Sequence, residues 1–110
     1  MTFSDDPVGT YLHLVGQVPA LDPEEEARCI GQVLERGENA EPARRRLVEA
    51  HLGLVVSMAE GYRSDRIHYL ELLEKGNDGL LRAVDSLREH PADGFAKYAR
   101  PYIESALAAA

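Results

Sequence analysis

The 110-residue chain is 45% hydrophobic and carries 19 acidic against 12 basic residues, a formal net charge of −7 at neutral pH. That length holds one compact domain but not two independent cores. The charge argues against a free-standing nucleic-acid binder, which ordinarily shows a basic surface that neutralises phosphates.

Trp is absent and aromatic residues make up 6% of the chain, while Ala, Leu, Glu and Arg dominate. This disfavours a β-sandwich or barrel and favours helices. The opening MTFSDDPVG is acidic where a signal peptide needs a basic start and an apolar core, and no apolar run reaches the roughly 18 residues of a membrane span. A cytoplasmic location is therefore expected. The single cysteine, Cys29, has no partner for an intrachain disulfide and reads as a buried structural thiol.

In chain order, Ser4, Asp5 and Asp6 before Pro7 mark a helix start, because a capping side chain followed by proline suits the first turn. Val8, Tyr11, Leu12 and Val15 then share one face, and Gly16 ends the helix. Asp22, Pro23 and Glu25 form a second start with the spacing of a capping box. Ile30, Val33 and Leu34 give this helix its buried stripe, and Gly37 stops it. A third helix is expected from about Glu41 and Pro42 to Tyr62, with Val48, Leu52, Val55, Ala59 and Tyr62 at steps of four and three. Leu47, Leu54 and Met58 widen its stripe, which requires helices on more than one side.

Arg63 to Arg66 reads as a polar connection. Tyr69 to Lys75 is a short helix, Gly76 and Asn77 a break and restart, and Leu80, Leu81, Val84 and Leu87 the core face of the next helix. His90, Pro91 and Gly94 mark a turn. Pro101 puts a fault in the last helix, which either starts late, near Arg100, or is kinked. The expected fold is an all-α bundle of five or six helices forming a single domain over 1–110. Within it, 1–37 is an N-terminal helical pair, 41–89 the central core and 94–110 the C-terminal helix.

Three blocks, DPVGTYLHLVGQVPALDPEEE, RRLVEAHLGLVVSMAEGY and YLELLEKGNDGLLRAVDSL, resemble the sigma-70 family of bacterial RNA polymerase sigma factors over the end of region 1 and the first part of region 2. The resemblance covers roughly Asp6 to Leu107. It implies a region-2-like helical domain that binds core RNA polymerase at the clamp helices of the β′ subunit and, in full-length members, opens and reads the promoter −10 element.

Transferred residue by residue, the polymerase-binding positions are Leu70, Glu71, Glu74, Lys75, Asn77 and Leu81. A turn at Gly76 and Asn77 is expected to project Glu71, Glu74 and Asn77 outward between Leu70 and Leu81. Lys75 stands where the family usually has an acid. On the DNA side the candidates are Arg44, Arg45, Arg46, Phe95, Lys97, Tyr98, Arg100 and Tyr102. The bland reading of the three α-helical arginines is a solvated face paired with Glu41 and Glu49. Around these, Gly9, His13, Gly53, Glu60 and Gly61 replace basic positions of the family, and the melting tryptophan pair has become Pro101 and Tyr102. Glu104 and Ser105 replace an arginine and a glutamine.

Two readings follow. In the first, the chain is a sigma-like initiation domain with weakened −10 recognition, its partners core polymerase β′ and promoter DNA. In the second, it is a regulator or adaptor without promoter activity that occupies polymerase or sequesters an anti-sigma factor. Catalysis is not expected: His13, His51, His68 and His90 are scattered, and no nucleophile–base pair, phosphate loop, metal site or cofactor site is legible.

Overall fold

In the computed structural model, which describes residues 6–110, helices begin where local capping chemistry places them. Asp6 accepts a hydrogen bond from the Gly9 N–H at 3.0 Å and opens α1 (Pro7–Gly16). Ser4 and Asp5, the other expected caps, lie outside the described residues. The Asp22 carboxylate accepts from Glu25 N–H at 2.8 Å and the Glu25 carboxylate from Asp22 N–H at 3.1 Å, so the capping box opens α2 (Pro23–Glu35) as expected. Arg36, not Gly37, takes the left-handed conformation that ends α2, with φ 57°. On α1, Val8 and Tyr11 pack on the core, but Leu12 is 37% exposed rather than part of the buried face.

The expected long third helix is divided into α3 (Ala40–Glu49), α4 (Leu52–Ala59) and a 3-10 turn at Glu60–Tyr62. His51 supplies the reason. Its Nδ1–H donates to the Leu47 carbonyl at 2.7 Å, while its backbone N–H bonds the Val48 carbonyl at 3.0 Å. The imidazole thus occupies the acceptor that a continuing α-helix would give to the backbone, and the last turn of α3 tightens.

A second difference concerns α5 (Tyr69–Asp85), which is continuous through Gly76 and Asn77. Both Gly76 and Gly79 are buried at close helix contacts. A Cβ on Gly76 would lie 2.6 Å from Val55 Cγ1 and 3.1 Å from Leu107 Cδ2, and one on Gly79 would lie 2.5 Å from the Tyr102 carbonyl oxygen. The missing side chains let α4 and α6 approach α5, and that packing outweighs a propensity deficit of about 1 kcal/mol per glycine. His68 rather than Asn77 caps the helix, its Nδ1 accepting from Leu70 N–H at 3.1 Å.

α6 (Phe95–Ala108) starts at Phe95 and runs through Pro101, so the late start near Arg100 does not occur. Pro101 offers no N–H to the Lys97 carbonyl, but both residues are exposed, and solvent can serve that carbonyl. Pro101→Ala is expected to stabilise the protein by about 1–2 kcal/mol, part of the roughly 3 kcal/mol intrinsic penalty. Urea unfolding measures this, and an unchanged midpoint would contradict it.

Gly94, at φ 90°, precedes α6 without a capping side chain. Glu26 of α2 supplies one across the fold, its Oε2 accepting from Phe95 N–H at 3.0 Å. The largest fully buried side chains, Leu47, Leu72, Leu73, Leu80, Phe95, Ile103 and Leu107, come from α3, α5 and α6. Cys29 is buried at 7% exposure, as expected. The described residues form an all-α bundle of six α-helices and one 3-10 turn.

Candidate functional site

Because α5 is unbroken, its outer side is one continuous face rather than a projecting corner. Glu71, Glu74, Lys75, Asp78, Arg82 and Asp85 are exposed along it, at spacings that keep them on one side of a helix. Leu70, Asn77 and Leu81 form its half-buried edge, with Leu70 and Leu81 about 16 Å apart along the axis. The first three turns of this face carry the carboxylates of Glu71, Glu74 and Asp78 against the single ammonium of Lys75.

Asn77 does not project outward as expected. Its Nδ2–H donates to the Tyr11 hydroxyl of α1 at 3.0 Å, and its Oδ1 is buried with no hydrogen-bond partner among the described residues. Asn77 therefore joins α1 to the edge of the α5 face. Nothing in the sequence pattern pairs these two residues, which are 66 positions apart.

The candidates for DNA contact divide between α3 and α6. Phe95 is fully buried, with the His51 ring edge-on at a centroid distance of 4.9 Å, so it belongs to the core and not to an exposed stacking surface. Tyr98 and Tyr102 are half-buried with ring centroids 5.7 Å apart. The Tyr98 hydroxyl shares a 2.6 Å hydrogen bond with Ser86. That bond lowers the Tyr98 hydroxyl's pKa, but burial and the neighbouring Tyr102 outweigh it and leave the group above its ordinary value. Tyr102 is lowered through hydrogen bonding to Ser86 and Tyr98. Lys97 pairs with Asp93 at 3.4 Å, and Arg100 is exposed.

On α3, the Arg44 guanidinium grips Asp85 of α5 with two bonds, Nε to Oδ1 at 2.9 Å and Nη2 to Oδ2 at 3.2 Å. The principal partner of Arg44 thus lies on another helix, while Glu41 of its own helix adds a smaller attraction. The Asp85 hydrogen bond raises the pKa of Arg44 above its ordinary value. With the two side chains 30% and 60% exposed, a double-mutant cycle of Arg44→Ala and Asp85→Ala should give a coupling of about 0.5–1 kcal/mol. A coupling near zero would mean that the fork does not persist in solution. Arg45 and Arg46 are exposed.

The sequence reading also missed Glu26 and His51. Glu26 holds the start of α6, and its Oε1 lies 3.6 Å from His51 Nε2, so one carboxylate links α2, the α3–α4 junction and α6. Among the described residues no group of three His, Cys, Asp or Glu side chains could hold a metal ion, and no helix is long and apolar enough to cross a membrane.

The molecule is therefore an all-α bundle presenting an acidic, leucine-edged helix face. Over 103 residues it is 38% identical to the RNA polymerase sigma factor SigA of Lactococcus lactis subsp. cremoris. It is 40% identical over 103 residues to the RNA polymerase sigma factor SigA of Clostridium acetobutylicum. These matches cover 94% of this chain and 28% and 26% of the two relatives, so the chain spans little more than a quarter of their length. No family model matches the chain. Over 94% of its length the chain is thus similar to RNA polymerase sigma factors, consistent with a sigma-70 family segment.

Proposed function

We propose that this segment docks on core RNA polymerase through the α5 face, taking the basic β′ clamp helices as its partner, with promoter −10 recognition weakened. The observation that carries the reading is the row of Glu71, Glu74 and Asp78 on the unbroken helix α5, beside Leu70 and Leu81. Carboxylates in a row steer and orient a cationic helix, while apolar side chains at the edge supply area that loses water on contact. Lys75 opposes part of that attraction and retunes it. The kinship with RNA polymerase sigma factors supports the same partner.

Weakened DNA recognition rests on different residues. Phe95 is in the core, Arg44 is engaged by Asp85, and Pro101 and Tyr102 occupy the positions of the melting pair. These same observations favour a second reading, a regulator or adaptor that occupies polymerase or an anti-sigma factor without opening promoters. Binding to core polymerase at low salt, followed by transcription from a −10-containing promoter in the same tube, tests both. Glu74→Arg should weaken binding at least about tenfold, because charge reversal at a rim changes association strongly. Wild-type affinity in that variant would overturn docking through α5. Promoter-dependent transcripts would exclude the regulator, and inhibition of another sigma factor would favour it.

A further inference from the structure

α1 has no carboxylate, lysine or arginine between Pro7 and Gly16. It nevertheless carries the exposed large hydrophobic side chains of the described residues, Leu14 at 59% and Leu12 at 37%. Two contacts fix how it sits. Val15 Cγ1 lies 4.0 Å from the Cβ position of Gly53 on α4, and the Tyr11 hydroxyl is bonded to Asn77 of α5.

Successive residues advance by about 100° around a helix. Val15, which meets α4, therefore stands about 40° to one side of Tyr11, and Leu14 about 60° to the other side. Moving around α1 from the α4 side toward the α5 side passes Val15, then Tyr11, then Leu14. Leu14 thus flanks the α5 face, while Leu12 lies on the opposite flank. On α5, the residue that Tyr11 meets, Asn77, shares a stripe with Leu70, Glu74 and Leu81.

We infer that the docking surface is composite, formed by the acidic face of α5 together with Leu14 of α1. The inference rests on the docking reading given above. Its occupant is a basic amphipathic helix that places cations toward Glu71 and Glu74 and seats an apolar side chain against Leu14. Charge complementarity selects this partner: an uncharged leucine ledge beside a row of carboxylates repels an acidic segment, and a second copy of a chain with net charge −7 is equally unfavourable. Asn77 is a positioning residue here, holding α1 against α5 so that no segment has to order on binding.

The test titrates the fluorescently labelled chain with core RNA polymerase at low salt, comparing wild type with Leu14→Glu, Leu12→Glu and Glu74→Arg. Both leucines are at the surface, and circular dichroism melts establish that each variant is folded. Leu14→Gln serves as a second substitution that removes the apolar side chain without adding charge. Leu14→Gln is expected to weaken binding about tenfold through loss of the apolar seat, and Leu14→Glu to weaken it too, its added carboxylate offsetting part of that loss, whereas Leu12→Glu stays within about twofold of wild type. Wild-type affinity in Leu14→Gln alongside loss in Glu74→Arg overturns the composite surface and leaves docking through α5 standing. Equal losses in Leu12→Glu and Leu14→Glu overturn the assignment of Leu14. If the wild-type chain does not bind, or Glu74→Arg binds unchanged, the docking reading fails and the inference fails with it.

Discussion

Replacing Gly79 by alanine is expected to destabilise the protein by about 3 kcal/mol or more, at the upper end of overpacking costs. The added Cβ would lie 2.5 Å from the Tyr102 carbonyl oxygen and 2.9 Å from Ile103 Cα and Ala106 Cβ. Two of those three atoms are backbone, so no side-chain rotation relieves the clash and α6 must move away from α5. The gain of about 1 kcal/mol in helix propensity is too small to compensate. Gly76→Ala meets only the side chains of Val55 and Leu107, which can give a little, and should cost less, about 1–2 kcal/mol. Gly16→Ala meets nothing within 4 Å and should cost least. The order of the three urea midpoints is the check, and a Gly79→Ala protein as stable as wild type would rule out the close α5–α6 crossing.

Phe95→Ala should be comparably severe, at about 3–5 kcal/mol, since it empties a fully buried aromatic site and removes the ring against which His51 packs. Tyr102→Ala removes a half-buried ring and should cost markedly less. Thermal melts of the two variants distinguish a core phenylalanine from a surface platform for bases. A Phe95→Ala protein that melts like wild type would return that residue to the surface and reopen its use in DNA contact.

The starts of α1 and α2 were legible because their chemistry is local. Asp6 with Pro7, and Asp22 with Glu25, satisfy backbone donors three residues away, and no distant contact can alter that. The buried face of α2 was legible from the repeat of Ile30, Val33 and Leu34, and that of α5 from Leu80 and Val84, with Leu87 buried just beyond its end and Leu81 left at the edge rather than in the core. The role of Gly76 was not. A glycine read along the chain signals a break, whereas here its hydrogen replaces a methyl that would strike Val55. The same limit applies to His51, whose side chain competes with its own backbone for the Leu47 carbonyl.

For the candidate site, the resemblance to a known family singled out a residue set on α5, and the fold changed its geometry. Glu71 and Glu74 lie on a continuous exposed face, and Asn77 turns toward α1. The contribution of α1 left no trace in the pattern, because Tyr11 and Asn77 meet only after the chain has closed over 66 residues.

The reach of Glu26 to Phe95, 69 positions away, has a consequence for how the molecule is made. A chain leaves the ribosome with its N-terminal side first, so α2 and its carboxylate emerge long before α6. Until α6 arrives, the Gly79 side of α5 has nothing seated on it, and Leu80, which ends fully buried, lacks the neighbours Ile103 and Leu107 that share its core. The first five helices can gather early, but the core closes only when the sixth is delivered. Nascent chains halted before Gly94 should therefore be the form that chaperones and proteases capture.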